Sequence, residues 1–182
     1  MDATITIFQN IKETEAPFFR EIDVILSRIK EGTSKDLIKE IRAEEDKGKR
    51  NDLKKKLPAI CFSGQFNKRK DTSIVQHSGI ICLDFDGYTK TKDLLQDKEK
   101  FIKNKYVYSI FVSPSGNGLK VLVKIPPDAE NHGKYFNALE KEFNSSYFDR
   151  TTKNISRVCY ESYDPLISVS YTHLTLPTTP YV

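Results

Sequence analysis

Four consecutive apolar residues, Ile80-Ile81-Cys82-Leu83, run straight into Asp84-Phe85-Asp86 and stop at Gly87. A short apolar run closed by a turn residue reads as a buried strand that surfaces at the edge of a sheet, with Gly87 supplying the bend. Residues i and i+2 of a strand project to one face, so Asp84 and Asp86 point together while Phe85 turns toward the core. Two carboxylates held side by side repel each other. A divalent cation relieves the repulsion, and hard oxygen donors suit Mg²⁺ or Mn²⁺. A strand that simply ends in a polar turn is the plainer account of the same residues.

Around that strand the pattern alternates between periods of two and 3.6. Thr4 to Phe8 alternate as a first strand. From Pro17, the apolar residues Phe18, Phe19, Ile22, Val24, Ile25, Leu26 and Ile29 form one helical face that stops near Gly32. Thr33-x-x-Asp36 resembles a capping box opening a second helix, which frays into the charged stretch Glu44 to Lys56. Leu57 to Phe62 is extended, Asn67 to His77 is a polar loop, Thr91 to Asn104 is helical, and Tyr106 to Val112 and Leu119 to Ile125 are strands. Between the last two lies Ser113-Pro114-Ser115-Gly116-Asn117-Gly118, a tight hairpin connection. Asn131 to Asn144 is a further helix and Ile155 to Tyr160 a last strand. A hairpin embedded among alternating helices and strands implies an α+β fold, with a mixed or antiparallel sheet, helices packed on one face, and an α-rich N-terminal segment.

At 182 residues, 38% hydrophobic and 30% charged, the chain has the material for one core and one compact domain. No stretch approaches the ~20 apolar residues that span a bilayer, and no charged-then-apolar leader opens the chain, so a soluble cytoplasmic location is expected. Cys61, Cys82 and Cys159 lie in apolar runs without CxxC spacing, which fits buried thiols in a reducing compartment. His77, His132 and His173 fall at no zinc-ligand spacing from them. Net charge is only +4, but Lys47, Lys49, Arg50, Lys54, Lys55 and Lys56 make one basic block and Lys68, Arg69 and Lys70 another. Such blocks suit a polyanionic partner, or else form an ordinary solvated surface. From Ser168 to Val182 there is no Asp, Glu, Lys or Arg. The string SYTHLTLPTT resembles translated sequencing-adapter read-through, so residues 168–182 are expected to be a non-native tail on a truncated chain, with a genuine polar tail as the alternative.

Three features converge on one chemistry. Asp84 and Asp86 are the first. The loop Ser113 to Lys120 is the second: Gly116 and Gly118 let backbone amides approach an anion, and Ser113, Ser115 and Lys120 add side-chain donors for phosphate. Asp149, followed by Arg157, is the third, offering another carboxylate and a fork-shaped donor. Asp149 also reads as a simple helix cap.

In this order the features resemble the archaeo-eukaryotic primase superfamily, and within it the VirE-type N-terminal domain, a primase-polymerase-like module of bacterial mobile elements. The resembling strings are LPAICFSGQF, IICLDFDG, SPSGNGLKVLVKI and YFDRTTKNISRVCYESYDP, spanning Leu57 to Pro165. The resemblance implies an RNA-recognition-like sheet core over 57–167, preceded by an N-terminal strand and helices over 1–56, in a single domain. It implies that Asp84, Asp86 and Asp149 hold two divalent ions, Mg²⁺ or Mn²⁺. Ser113, Ser115, Gly116, Gly118, Lys120 and Arg157 would bind the nucleoside triphosphate. Lys54, Lys55, Lys56, Lys68 and Arg69 would guide a DNA template, with Tyr88 or Tyr163 as base-stacking partners. A helicase-type ATPase, in the full-length protein or in a partner, is the implied associate. Active primases of the superfamily carry His where this chain has Lys120. A lysine keeps its charge near neutral pH and is a poorer proton carrier, so a catalytically silent nucleic-acid-binding module is one alternative. A second is a haloacid-dehalogenase-like phosphohydrolase, since Asp84-Phe85-Asp86-Gly87 also resembles the opening motif of those enzymes, with Asp84 as nucleophile and Asp86 as general acid.

Overall fold

A computed structural model of the chain describes residues 3–170. Strand β1 (Thr4–Phe8) pairs antiparallel with β2 (Phe18–Glu21), which runs directly into helix α1 (Ile22–Glu31). The aromatic pair Phe18 and Phe19 satisfies either period. The chain uses it in β2, where both side chains are exposed and α1 begins only at Ile22. Ile22, Ile25, Leu26 and Ile29 then repeat at helical spacing on the buried face, and Gly32, at φ +88°, ends the helix by donating its N–H to Arg28 O. Helix α2 (Lys35–Ala43) starts without the expected capping box. Ser34, not Thr33, sits at its N-cap, and the Ser34 hydroxyl bonds Glu161 instead of the helix backbone. The charged stretch beyond does not fray: Asp46 accepts from the Lys49 N–H at 2.7 Å and opens α3 (Lys47–Lys54), a helix with no buried residue and hence no apolar period to read.

Strand β3 (Ala59–Cys61) lies beside β1, and β4 (Gly64–Phe66) pairs with β5 (Ile74–His77), so the segment expected as a polar loop contains a strand. Thr6 drives this pairing to its place: its hydroxyl donates to Gly64 O at 2.8 Å and accepts from the Phe66 N–H at 2.9 Å. The central strand β6 (Ile80–Asp86) is followed by helix α4 (Thr91–Phe101), by β7 (Val107–Val112) and β8 (Gly118–Lys124), and by helix α5 (His132–Phe143). Two short strands close the described chain, β9 (Cys159–Tyr160) and β10 (Ser168–Val169). β10 pairs with Ile110 and Ser109 of β7, so the break in composition at Ser168 is not yet a break in the fold. The remainder of the suspect tail, 171–182, lies outside the described residues.

The fold is α+β, and every strand pair described is antiparallel, in sheets ordered β2-β1-β3-β9, β10-β7-β8-β6 and β4-β5. The central sheet is covered on both faces rather than one. Leu83, Phe85, Leu119, Val121 and Val123 pack under Leu94, Phe101, Phe136 and Phe143 of α4 and α5. On the opposite face Ile80, Tyr108, Phe111 and Leu122 meet Ile5, Ile60 and the apolar face of α1. Each such large apolar side chain contributes about 1.5–3 kcal/mol on burial. Among the described residues no helix is long and apolar enough to cross a membrane.

Candidate functional site

Alternation along β6 decides where the acids go. Ile81, Leu83 and Phe85 enter the core beneath α4 and α5, so Ile80, Cys82, Asp84 and Asp86 face the N-terminal layer. That layer seals the first part of the strand and leaves a cleft at its end, of about 230 Å³, into which Asp84 and Asp86 open.

Antiparallel register supplies the rest. Across β8, Asp84 stands opposite Lys120 and Asp86 opposite Gly118. Along the free edge of β6, residues 147–149 add a short antiparallel ladder: the Asp86 N–H donates to Tyr147 O at 2.9 Å, the Asp149 N–H donates to Asp84 O at 2.8 Å, and Phe85 bridges Phe148. In this register Asp149 faces Asp84 on the same side of the sheet. One carboxylate oxygen from each of Asp84, Asp86 and Asp149 lies within 4.8 Å of the others, an arrangement able to hold one metal ion. Asp149 is also a cap: its Oδ1 accepts from the Thr151 N–H at 2.9 Å and from the Thr151 hydroxyl at 2.7 Å. The cap therefore forms at the same residue that joins the acid cluster.

Electrostatics at the acids is unfavourable without a cation. Burial raises the Asp84 carboxyl above the ordinary range, the nearby Asp86 and Asp149 raise it further, and Lys120 opposes them. Burial alone would lower the Lys120 ammonium, but Asp84 and Asp86 reverse this and raise it, so Lys120 is charged and ion-paired to Asp84 Oδ2. Asp84 Oδ1 and the Ser113 hydroxyl are buried with no hydrogen-bond partner among the described residues. Orphaned buried acceptors cost about 1–3 kcal/mol each. Hard oxygens, crowded and underbonded, fit Mg²⁺ or Mn²⁺.

The hairpin between β7 and β8 forms the adjoining wall. The Ser113 N–H donates to Gly118 O at 2.8 Å and the Gly116 N–H to Ser113 O at 2.9 Å, with Gly116 at φ +79°. Gly118 is required by space: a β-carbon there would stand 2.4 Å from Asp86 Oδ1 and 2.8 Å from Phe85 O. Ser113, Ser115 and Lys120 line the cleft, whereas Gly116 lies on its outer side against Arg42. Arg42, which sequence reasoning missed, reaches from α2 to the hairpin. Its Nε donates to Pro114 O at 3.3 Å and its NH2 to Ser113 O at 3.2 Å and Tyr163 O at 2.9 Å. No local signal marks it, because all three partners are backbone carbonyls far along the chain.

The remaining candidates separate. Arg157 lines the cleft, held by its own bonds to Asn154 Oδ1 (2.9 Å) and Thr151 O (2.7 Å). Lys54, expected on the template path, lines the same cleft near the acids; burial lowers its ammonium and Asp86 partly restores it. Lys55 and Lys56 turn away into a second hollow with Lys12 and Asn10, and Lys55 pairs with Asp52 at 2.7 Å. Lys68 pairs with Glu15 at 2.6 Å, and Arg69 donates to Ile11 O at 2.7 Å. Neither proposed tyrosine offers a free ring. Tyr88 is buried, stacked on Tyr147 and bonded to Asp97, and Tyr163 packs on the Ile38, Ile41 and Leu57 cluster. Tyr160 lines the cleft instead. Of the three thiols only Cys61 is buried; Cys82 and Cys159 are partly exposed and line the cleft floor.

A family model described as BT4734-like, N-terminal domain, matches residues 52–168, well over half of the chain. The matched span holds all three acids, the hairpin, Lys54 and Arg157, and leaves Arg42 outside. No curated protein and no solved structure matches the chain.

Proposed function

We propose that this chain, which belongs to the BT4734-like N-terminal domain family, is a metal-dependent nucleotidyltransferase of the primase-polymerase type. It would act in the cytoplasm on a mobile element's DNA, adding nucleotides to a 3′-hydroxyl on a template unwound by a helicase-type ATPase. The observation that carries this reading is the meeting of Asp84, Asp86 and Asp149 within 4.8 Å beside a glycine-bearing hairpin, in a cleft that also holds Lys54, Lys120 and Arg157.

The three carboxylates would hold Mg²⁺ or Mn²⁺, which neutralises charge on a triphosphate and orients an attacking hydroxyl. Ser113 and Ser115 of the hairpin would offer hydroxyls to phosphate oxygens, and Arg157, held by Asn154 and Thr151, would add its positive charge in the same cleft. Lys54, whose charge is disfavoured by burial, gains most from a polyanion entering the cleft. Phosphoryl transfer of this kind is mainly positioning and charge stabilisation, so no side-chain nucleophile is needed.

One observation favours a second reading, a binding module without turnover. Lys120 is committed to Asp84, at a position where the active enzymes it resembles carry His. Primer extension with Mn²⁺ separates the two. Incorporation by the wild-type chain that disappears in Asp84→Asn supports the polymerase reading; binding of template and nucleotide with no incorporation supports the silent module. Absence of both binding and incorporation contradicts both.

A further inference from the structure

The two oxygens of Asp84 have different surroundings. Oδ2 is ion-paired to Lys120, and Oδ1 is buried with no hydrogen-bond partner among the described residues. Lys120 is the direct cross-strand neighbour of Asp84, on a strand that is buried along its whole length, and only 10% of its side chain is exposed. Its ammonium is thus fixed by the sheet rather than by a mobile loop. A carboxylate that bridges two divalent ions needs an oxygen for each, with the ions roughly 3.5–4 Å apart. Here one of those oxygens is already paired with a positive charge.

An inventory of the other acids points the same way. Asp149 Oδ1 accepts two bonds from Thr151, which leaves Oδ2 as its uncommitted oxygen among the described residues. Asp84 Oδ1, Asp149 Oδ2 and the carboxylate of Asp86 then remain, a set sufficient for one octahedral ion completed by water and phosphate. The buried, unpartnered Ser113 hydroxyl stands beside this set: it and Asp86 Oδ1 both lie close over Gly118. We propose that the cleft takes a single divalent cation, on Asp84 Oδ1, Asp86 and Asp149, and that the Lys120 ammonium occupies the position of a second as a charge supplied by the protein. The proposal rests on the reading of the three acids as a metal site, and it replaces the two-ion arrangement that the family resemblance implies.

Counting Mn²⁺ by equilibrium dialysis and electron paramagnetic resonance, on the full chain with a non-hydrolysable deoxynucleoside triphosphate analogue, tests it. The expected result is one ion per ternary complex and a spectrum free of Mn–Mn dipolar coupling. Two coupled ions in the wild-type complex would overturn the proposal and leave the nucleotidyltransferase reading intact. No bound Mn²⁺, with or without the analogue, would overturn both. In Lys120→Met, which keeps the length of the side chain and lacks the ammonium, Oδ2 is released and the count is expected to rise to two, with coupling; a count that stays at one would remove Lys120 from the role given to it. The wild-type measurement does not depend on that variant's stability.

Discussion

The lysine–aspartate pairs Lys98–Asp164 and Lys120–Asp84 both lie below the surface of this domain, and they are built to different standards. Lys98 Nζ meets Asp164 Oδ2 at 2.8 Å and also donates to Leu166 O at 2.8 Å. Asp164 in turn accepts from the Val112 N–H and the Leu166 N–H, both at 2.9 Å. Both oxygens are satisfied, and the pair ties α4 to β7 and the C-terminal segment. Lys120 is as deeply placed as Lys98 and Asp84 is half-buried, yet one oxygen of Asp84 is orphaned and two further carboxylates press on it. A fully satisfied buried pair belongs to the architecture; an underbonded one among like charges is what the proposed cation site would need.

The sharpest way to break that distinction is to remove each acid in turn. Asp164→Ala strands a buried ammonium and is expected to cost about 3–5 kcal/mol, read as a fall in Tm. Asp84→Asn should cost no more than about 1 kcal/mol, because Asp86 and Asp149 remain near Lys120 and the crowding of acids is relieved. Similar losses in the two variants would erase the contrast.

A pH effect of comparable size is expected at another buried polar pair. His77 Nδ1 accepts from the Gly79 N–H at 2.9 Å, so the neutral ring donates from Nε2 to His132 Nδ1 at 3.0 Å. Burial pushes both imidazoles down to about 4 from an ordinary 6.5, with His77 adding to the effect on His132 and the Asp128 and Asp71 carboxylates opposing it. Between those values the unfolded chain binds more protons, so stability is expected to be complete above pH 6.5 and to fall as pH drops toward 4. A Tm that is flat across this window would contradict the neutral pair. His77→Gln should make the profile shallower without flattening it, because His132 stays buried.

A smaller effect is expected from Arg42→Ala, which withdraws a hydrogen bond from each of the Ser113, Pro114 and Tyr163 carbonyls and loosens the hairpin. About 1–3 kcal/mol of stability should be lost, with nucleotide affinity falling by roughly tenfold, a change worth about 1.4 kcal/mol. Arg42→Lys, unable to fork, should recover only part of the affinity measured by fluorescence anisotropy.

Much of this was readable from residue order. The run Ile80 to Asp86 carries its own alternation, so the shared face of Asp84 and Asp86 followed from period alone, and the hairpin announced itself through Pro114, Gly116 and Gly118. The arrival of Asp149 was not local information: it depends on a backbone ladder formed after α5 has crossed the sheet. Lys54 and Lys55 are adjacent in one basic run, yet they line different hollows. Charge composition cannot distinguish them, since α3 has no apolar face from which to take a phase. Phe18 and Phe19 failed for the opposite reason, because they suit a helix and a strand equally well until the partner β1 decides.

Melting with and without Mn²⁺ tests the central claim most directly, that the acids at the end of β6 and Asp149 form a cation site while Lys98 and Asp164 do not. Saturating Mn²⁺ should raise the Tm of the wild-type chain and of Asp164→Ala, by a stabilisation on the order of 2.7 kcal/mol at a hundredfold excess over Kd, and leave Asp84→Asn unmoved. An equal rise in Asp84→Asn would contradict the account.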